Sequence, residues 1–474
     1  MTAPSFDLPA TIRPREWQTQ LTLLLRRRLN SAAASDRDLL VFAGPGAGKT
    51  LGSLLAFCSM RQEGRLERLV VLCHRTSILE QWQRSSRRLG LELCHWPERS
   101  TTELAGHGLL LTYQAAARQL DRLQDDLAQW DPDTTLVVAD EAHHLGVDPE
   151  EPDAAVWGQT FQEISSRFRL RLGLTGTPFR ADNLAFCAAR RVRLRQGSDV
   201  VEQIIPDLCV EPRDLIAAGD VRPLEFRFQD GWVEHSREGL PDRDVSPLSA
   251  EARESWRARN LRRAIRLADS SSIGQQVLLK AQRRLISIRE EHPRAAGLVI
   301  ARDIHHAEQI TRLLEEDGSR VDLVHSQERE AAQRLANFEN GSADWLVSID
   351  MCSEGFDAPR LRVVAYLTTV VTRSRFVQGI TRAVRMTPEL ARDEPIPRHP
   401  SYVYAPADPL LMGYARGWSI AEPYVIRAAE DTPGSGDTPN AGWSGPSLPL
   451  EAVGDGAGRV IPLKTPQLPS FLQR

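Results

Sequence analysis

Lysine is scarce in this chain. Of its 59 basic residues only Lys49, Lys280 and Lys464 are lysines, so arginine is the default cation. The common PD-(D/E)-x-K nuclease motif needs a lysine after an acidic residue, and neither Lys280 nor Lys464 has such a neighbour. A fused nuclease of that class is therefore not expected. Histidine-based nucleases are less firmly excluded, although His305-His306 falls in a predicted helix.

The sequence also lacks the signals of a zinc site, a disulfide framework, a membrane span and a signal peptide. The six cysteines lie far apart and form no C-x-x-C pair, which predicts neither a zinc knuckle nor a disulfide framework. They are typical of core thiols in a reducing cytosol. No apolar run is long enough to cross a membrane, and the N-terminal residues lack the basic and then apolar order of a signal peptide. We therefore expect a cytoplasmic protein with no membrane partner.

Length and charge set the next limits. The 474 residues are too many for one ordinary core, so two or three domains are expected. The net charge of −4 means that any contact with nucleic acid must come from local patches. Residues 251–289 form one such patch, with ten basic residues against three acidic ones in a predicted helical stretch. This stretch could bind a phosphate backbone or could be a solvated face.

The segment around Lys49 is typical of a phosphate-binding loop. Apolar residues 39–42 predict a buried strand, residues 43–50 are AGPGAGKT, and residues 51–57 begin a predicted helix. Three glycines let backbone N–H groups close around phosphate oxygens, beside the positive end of the helix: Gly44, Gly46 and Gly48. We expect Lys49 to reach the β- and γ-phosphates and the Thr50 hydroxyl to bind Mg²⁺. The usual pattern has glycine where this chain has Ala43.

A glutamine precedes this loop, in the segment Arg13-Pro14-Arg15-Glu16-Trp17-Gln18. An apolar, predicted helical stretch follows. A Gln side chain can form two hydrogen bonds with an adenine edge, as it does in DNA. Beside a phosphate loop, Gln18 is a candidate for reading the base of a nucleotide, although it could equally be a solvated surface residue.

An acidic pair follows another predicted buried strand, at residues 136–139. Carboxylates at such a position are costly unless they hold a cation or activate water. We expect Asp140 to hold Mg²⁺ and Glu141 to orient and deprotonate the attacking water. His143 could link this site to Thr175 and Thr177, which follow a fourth predicted strand and could couple hydrolysis to movement.

Polar residues at other strand ends are candidates for contacts with a nucleic-acid strand. Ligands of open α/β sheets bind outside the carboxyl ends of the strands, although polar strand ends are also common without a ligand. The candidates in the first half and at the first strand of the second half are Arg75, Thr76, Thr112, Tyr113 and Arg302.

The order of these segments resembles the superfamily 2 helicases and translocases. The matching motifs are the glutamine, AGPGAGKT, HRT (74–76), TYQ (112–114), DEAH (140–143) and TGTP (175–178). The resemblance implies two tandem RecA-like α/β domains, each a mostly parallel sheet flanked by helices, with ATP bound in the cleft between them. It assigns residues 1–205 to the first domain and 206–415 to the second. Residues 416–474, rich in Gly, Pro and Ser, are expected to be a largely disordered tail that could bind a protein partner.

The second half carries the residues that the resemblance requires there. The segment 350–359 looks like the family's fifth motif, where Gly355 and Asp357 face the nucleotide and Ser353 faces the nucleic-acid backbone. On a predicted helix, three residues fall on one face at i, i+4 and i+7: Gln378, Arg382 and Arg385. The two arginines could stabilise charge on the transferred phosphoryl group. The family usually has glycine where this chain has Thr381.

The sequence therefore predicts an ATP hydrolase that uses Mg²⁺ and moves along nucleic acid. The TGTP form and the motif spacing look most like the DNA-directed branch shared with restriction motor subunits and repair translocases. No strand-separating hairpin or accessory domain is recognisable, so a translocase without unwinding activity stays open. An RNA helicase and a nucleotide-gated binding protein with negligible turnover stay open as well. The intact Glu141 and both arginines disfavour the binding protein.

Overall fold

The structure is a computed structural model that describes most of the chain. The described residues are 12–31, 33, 36–96, 106–146, 154–176, 185–186, 191–196, 199–236, 243–250, 254–267, 272–325, 327, 330–349, 358–386, 388–419 and 460–461. The chain divides into two compact units between Pro212 and Arg213. The predicted domain limits at residues 205 and 415 stay predictions. Most of the predicted tail, 416–474, lies outside the described residues.

The first part of the chain alternates strands and helices. Its elements are α1 (Glu16–Leu29), β1 (Asp38–Ala43), α2 (Lys49–Gln62), β2 (Arg68–Cys73), α3 (Thr76–Arg88), β3 (Leu93–His95), β4 (Gly108–Thr112), α4 (Tyr113–Arg118), α5 (Leu120–Ala128), β5 (Thr135–Asp140), α6 (Ala154–Ser165), β6 (Leu170–Thr175), β7 (Arg191–Gln196), β8 (Asp199–Ile204) and β9 (Leu208–Val210). Seven of these strands form one sheet in the order β3-β4-β2-β5-β6-β1-β9, and every ladder is parallel. Since parallel strands end at the same edge, the sheet brings the ends of β1, β2, β4, β5 and β6 together.

The second part repeats this plan. Its elements are α7 (Pro212–Ala217), β10 (Leu224–Gln229), β11 (Trp232–Ser236), β12 (Arg243–Pro247), α8 (Glu254–Ala264), α9 (Ile273–Glu291), β13 (Ala296–Ala301), α10 (Ile304–Glu316), β14 (Val321–Val324), α11 (Ala331–Asn340), β15 (Trp345–Ser348), β16 (Leu361–Leu367), α12 (Arg373–Ile380), α13 (Pro388–Asp393), β17 (Ser401–Pro406), α14 (Pro409–Ser419) and β18 (Val460–Ile461). Six strands form a parallel sheet in the order β10-β17-β16-β13-β15-β14. The expected pair of parallel α/β domains is therefore confirmed.

Burial on both faces of the sheet explains why the central strands are apolar along their whole length. In β2, β5 and β16 nearly every side chain is buried, on both faces of the sheet. Strands covered on both faces are near-continuous apolar runs, as in parallel sheets flanked by helices. No described helix is long and apolar enough to span a membrane.

Three antiparallel pairs in the described residues were not predicted, and the shortest joins β11 to the two-residue strand β18. Strands β7 and β8 form a hairpin, with Gln196 opposite Asp199. The two residues between them in the sequence, Gly197 and Ser198, are a known hairpin signal. Strand β12 pairs with β11 inside the stretch 239–249, whose Pro, Asp and Ser residues are typical of a loop. The pairing with β11 outweighs this local sequence.

The helical predictions also need two corrections. The stretch 251–289 contains two helices, because α8 ends at Ala264 and α9 begins after Ser272, whose hydroxyl caps it by accepting from the Gln275 N–H at 3.3 Å. The helix expected to carry Gln378, Arg382 and Arg385 is not continuous. Helix α12 ends at Ile380, residues 381–384 form a buried 3₁₀ turn, and Arg385 has an extended backbone. The tighter turn seats these buried side chains in the core, so the three residues do not share one α-helical face.

Candidate phosphate-binding site

The loop between β1 and α2 has the backbone of an anion site. Gly46 and Gly48 have φ angles of 78° and 80°, which favour glycine. Helix α2 begins at Lys49, so the N–H groups of its first turn have no acceptor within the helix and face the loop. Ala43 is the last residue of β1 and is fully buried. The usual glycine is not needed there, because strand geometry suits alanine.

Three side chains from the start of the chain hold the loop by its carbonyl groups. The Arg15 guanidinium donates to the Gly46 carbonyl at 2.6 Å, and the Trp17 indole N–H donates to the Ala47 carbonyl at 3.1 Å. The Gln18 amide donates to the Gly48 carbonyl at 3.1 Å and accepts from the Arg15 N–H at 2.9 Å. Gln18 is buried, so its amide braces the loop, and its predicted contact with a base stays a prediction. The roles of Arg15 and Trp17 were missed.

The acidic pair lies beside this loop. The Lys49 ammonium donates to a Glu141 carboxylate oxygen at 3.1 Å. The other Glu141 oxygen accepts from the Gly176 N–H at 3.4 Å. A Cβ on Gly176 would lie 2.9 Å from the Lys49 Nζ, so glycine leaves the space that the lysine uses. The sheet thus joins residues from the ends of β1, β5 and β6 in one site.

Asp140 is held on both carboxylate oxygens. Its Oδ2 accepts from the Trp82 indole N–H at 2.8 Å, and its Oδ1 accepts from the Glu141 N–H at 3.0 Å. Trp82 lies on α3 and is fully buried. Glu141 has φ 51°, the one positive φ of a non-glycine residue in the described part of the chain. Such backbone is rare outside glycine and is often found at functional sites. The role of Trp82 was missed, because nothing in the sequence places it beside the acidic pair.

The two carboxyl groups have opposite pKa shifts. Burial raises the pKa of Asp140, and the negative charge of Glu141 raises it further. Burial would also raise the pKa of Glu141, but the Lys49 charge and the hydrogen bond with His143 outweigh burial and hold that pKa well below its ordinary value. Glu141 is therefore ionised, and a cation near Asp140 would relieve the cost of its buried charge.

His143 connects the acidic pair to β6. Its Nδ1 lies 3.0 Å from the Thr175 hydroxyl and 3.4 Å from a Glu141 oxygen. Burial and the neighbouring His144 lower the pKa of His143 to about 4, so the ring is neutral at pH 7. The rings of His74 and His143 each lie about 4 Å from that of His144, at 4.2 and 4.1 Å between centroids. Thr177 lies outside the described residues.

The predicted strand-end residues of the first unit differ in exposure. Arg75 is half-buried, and Thr76 is exposed at the first turn of α3. The Thr112 hydroxyl caps α4 by accepting from the Ala115 N–H at 3.1 Å. The Tyr113 side chain is buried and donates to the Asp140 carbonyl at 2.9 Å. Its hydroxyl therefore supports the acidic strand from within the core.

The predicted residues of the second unit are only partly described. Arg302 follows β13 and forms an ion pair with Asp303 at 2.6 Å. Arg382 is 7% exposed, and Thr381 is also buried, with its hydroxyl donating to the Gln378 carbonyl at 3.3 Å. Arg385 is half-buried. The remaining candidates lie outside the described residues: Ser353, Gly355 and Asp357.

Two family models match the chain. The model described as "Type III restriction enzyme, res subunit" matches residues 11–180. The model described as "Helicase conserved C-terminal domain" matches residues 278–387. The first match covers the loop and the acidic pair, and the second ends with Arg382 and Arg385 inside it.

The chain also resembles curated mycobacterial proteins that are themselves uncharacterised. A protein of Mycobacterium tuberculosis (strain ATCC 25618 / H37Rv) is 29% identical over 428 residues, which cover 88% of this chain and 65% of the relative. A protein of Mycobacterium leprae (strain TN) is 30% identical over 441 residues, which cover 89% of this chain and 67% of the relative. The chain therefore spans about two thirds of the length of these relatives.

Solved structures share the fold at low identity. A fragment assigned as an HsdR subunit of a type I restriction enzyme from Vibrio vulnificus YJ016 has a TM-score of 0.54 and 14% identity, covering 87% of this chain and 67% of that one. The type ISP restriction-modification enzyme LlaBIII bound to DNA has a TM-score of 0.50 and 14% identity, covering 83% and 27%. Dbp5 of S. cerevisiae bound to RNA and ADP BeF3 has a TM-score of 0.51 and 12% identity, covering 86% and 87%. With its two family-model matches and its tandem RecA-like fold, the chain belongs to the superfamily 2 helicases and translocases.

Proposed function

We propose that this protein is an ATP-dependent motor that moves along nucleic acid, with DNA as its track. The observation that carries the proposal is the contact between Lys49 and Glu141 at the mouth of the phosphate loop. A phosphate-binding cation and an ionised carboxylate lie within one hydrogen bond of each other, as hydrolysis of a phosphoanhydride by water requires.

The residues present suit ATP with Mg²⁺. The Thr50 hydroxyl and the Asp140 carboxylate are the hard oxygen donors that Mg²⁺ prefers, and a cation beside the buried Asp140 would offset the cost of its charge. When bound, Mg²⁺ would neutralise charge on the phosphate oxygens. Lys49 and the N–H groups of the loop bind the phosphates. Glu141 orients the attacking water and accepts its proton.

The second domain supplies the remaining parts of the proposed mechanism. Arg382 and Arg385 are proposed to stabilise negative charge on the transferred phosphoryl group. Gly355 and Asp357 are proposed to face the nucleotide. Contacts of His143 with Glu141 and Thr175 are proposed to couple hydrolysis to movement, with Thr177 and Gln378 assisting.

DNA is favoured over RNA as the track because the first half of the chain matches a restriction-enzyme family model. The fold alone does not separate the two, since one structural neighbour is bound to DNA and another to RNA at nearly equal TM-scores. The proposed location is the cytoplasm, which suits buried thiols outside disulfides such as Cys58, Cys73 and Cys94.

The test is ATP hydrolysis by purified protein, alone and with single-stranded DNA, duplex DNA or RNA. The matched variant is Glu141→Gln, which keeps the size of the side chain and removes its charge. We expect stimulation by DNA and a loss of ~10²-fold or more in the variant, as for removal of a general base. Stimulation by RNA alone would make the protein an RNA helicase. Absence of turnover under every condition would contradict a motor and favour a nucleotide-gated binding protein.

Unwinding and translocation need a separate measurement. Displacement of the third strand of a DNA triplex reports movement along duplex DNA, whereas displacement of one strand of a duplex reports unwinding. Triplex displacement without duplex unwinding would identify a translocase, as in the motor of a restriction or defence complex.

A further inference from the structure

A basic cleft lies between helix α9 and strand β10, at one edge of the second sheet. Its volume is about 560 Å³. Helix α9 contributes Lys280, Arg283, Arg284 and Ser287, whose spacing of i, i+3, i+4 and i+7 places them on one helical face. Strand β10 contributes Arg227 from the other wall. Four cations therefore converge on a cavity large enough for a ligand.

The walls of the cleft orient two of these cations. The Lys280 ammonium donates to the Gln229 side chain at 2.6 Å, which leaves further N–H donors for a ligand. The Arg284 guanidinium lies over the Tyr402 ring, with its central carbon 4.5 Å from the ring centroid. This stacking limits the rotation of a long side chain, so less conformational entropy is lost when it binds an anion.

The positive charge of the cleft is only partly balanced. Glu225 forms an ion pair with Arg227, and its charge also acts on Arg284. Within the described part of the chain, Lys280 and Arg283 form no ion pair with a carboxylate. Partial enclosure of the ammonium in the cleft and the nearby Arg283 lower the pKa of Lys280, the direction expected where like charges are close together. An anion in the cleft would offset this repulsion.

Within the second unit, the cleft is separate from Arg302, the described strand-end candidate for nucleic acid there. Strand β10 forms the edge of the sheet, and two strands, β17 and β16, lie between it and β13, which precedes Arg302. The aromatic lining residues Tyr404 and Phe228 are buried, at 6% and 4% exposure. They offer no open ring face for a base to stack on, whereas Lys280, Arg283 and Ser287 are exposed.

We propose that this cleft binds the phosphate backbone of a nucleic-acid strand, as an anchor outside the strand-end contacts. The proposal rests on the proposed nucleic-acid motor function. Cations without accessible aromatic rings bind phosphates without reading bases, so binding here is independent of sequence and sensitive to salt. An anchor of this kind would keep the motor on its track while the strand-end contacts are released.

The test compares nucleic-acid affinity as a function of salt in three full-length proteins. They are the wild type, the double variant Lys280→Ala with Arg283→Ala, and the control Arg312→Ala with Arg320→Ala. The control pair is exposed, lies in the same unit outside the cleft and changes the net charge equally. Fluorescence anisotropy of labelled single-stranded DNA, measured without nucleotide, gives the slope of log affinity against log salt concentration. Thermal melting establishes that each variant is folded.

We expect the slope of the cleft variant to be shallower by about 1.4, since each lost phosphate contact on a single strand contributes about 0.7. The control should keep the wild-type slope. Equal slopes in cleft and control variants, with a wild type that binds DNA, would overturn the cleft proposal and leave the motor proposal intact. A wild type that binds neither DNA nor RNA would contradict both. Cleft-dependent binding of polyglutamate or tripolyphosphate, with unchanged DNA affinity, would assign the cleft to another anion and also overturn the proposal.

Discussion

The hydrogen bond from Trp82 to Asp140 leads to a sharp prediction about the proposed Mg²⁺ site. The Trp82 indole N–H donates to Asp140 Oδ2 at 2.8 Å in a fully buried position. Replacement by phenylalanine removes this donor and keeps an aromatic ring in the core. Asp140 then keeps the Glu141 N–H on Oδ1 and loses its partner on Oδ2. We expect Trp82→Phe to leave the Asp140 carboxylate less well oriented.

The size of the effect follows from the cost of an unsatisfied buried acceptor, about 1–3 kcal/mol. If that cost falls on the cation-bound state, it corresponds to a loss of roughly 5–150-fold in Mg²⁺ affinity, at tenfold per 1.36 kcal/mol. Loss of a partner that orients a metal ligand typically costs about 10–100-fold in metal affinity or activity. The assay is ATP hydrolysis as a function of Mg²⁺ concentration, with the half-saturating concentration as the readout.

Trp96→Phe is the matched control. Trp96 also donates to a buried aspartate, Asp126, at the same distance of 2.8 Å, and it follows strand β3 at the far edge of the first sheet. Both variants should lose similar free energy of unfolding, but only Trp82→Phe should raise the Mg²⁺ requirement. Equal half-saturating Mg²⁺ concentrations in Trp82→Phe and Trp96→Phe would refute the proposal that Trp82 orients Asp140 for Mg²⁺. Trp82 would then have only a packing role in the core.

Two further predictions concern stability. The Nδ1 atom of His306 accepts from the Arg302 N–H at 3.3 Å, and its Nε2 lies 2.9 Å from the Ile265 carbonyl. This pair of contacts requires the neutral ring. Burial lowers the pKa of His306 to about 4. Because the unfolded ring has a pKa of about 6.5, the unfolded state binds more protons between these values, and the free energy of unfolding should fall as the pH drops from 6.5 towards 4. Chemical denaturation of His306→Gln should show a weaker fall over this range, and identical pH profiles would contradict the assignment. Arg171 and Asp38 form a buried ion pair. Because Arg171→Met leaves the Asp38 charge buried without this partner, it should lower the free energy of unfolding by about 3–5 kcal/mol, and adding Asp38→Asn should restore part of the loss. Equal stability of the single variant and the wild type would contradict this prediction.

The sequence predicted those parts of the site in which spacing along the chain decides position. The loop residues are neighbours in sequence, and each acidic or polar candidate follows a strand whose apolar run is easy to recognise. The topology of a parallel sheet then places the ends of β1, β5 and β6 at one edge. For this reason the contact of His143 with Thr175 could be anticipated from order alone, whereas Lys49 and Glu141 were assigned to one site without a contact between them being predicted.

The missed features depend on packing and pairing that no local sequence pattern reports. Trp82 lies 58 residues before Asp140, and no local pattern distinguishes its indole from another core ring. The continuous helix predicted through Arg385 failed because helical spacing says nothing about which side chains the core accepts. Strand β12 was missed because its pairing with β11 outweighs its local sequence. For Trp82 the deciding interaction joins residues that lie far apart in the sequence.

The contact of Lys49 with Glu141 also suggests how substrate binding and base strength are linked. Lys49 is a main reason why the pKa of Glu141 lies well below its ordinary value, and burial acts in the opposite direction. In the proposed mechanism, a phosphate bound by the loop would compete with Glu141 for the Lys49 ammonium. As the carboxylate lost this partner, burial would weigh more heavily, its pKa would rise, and it would become a stronger proton acceptor. The same lysine would then bind the substrate and release the base, so that Glu141 gains basicity only when there is a phosphate to attack.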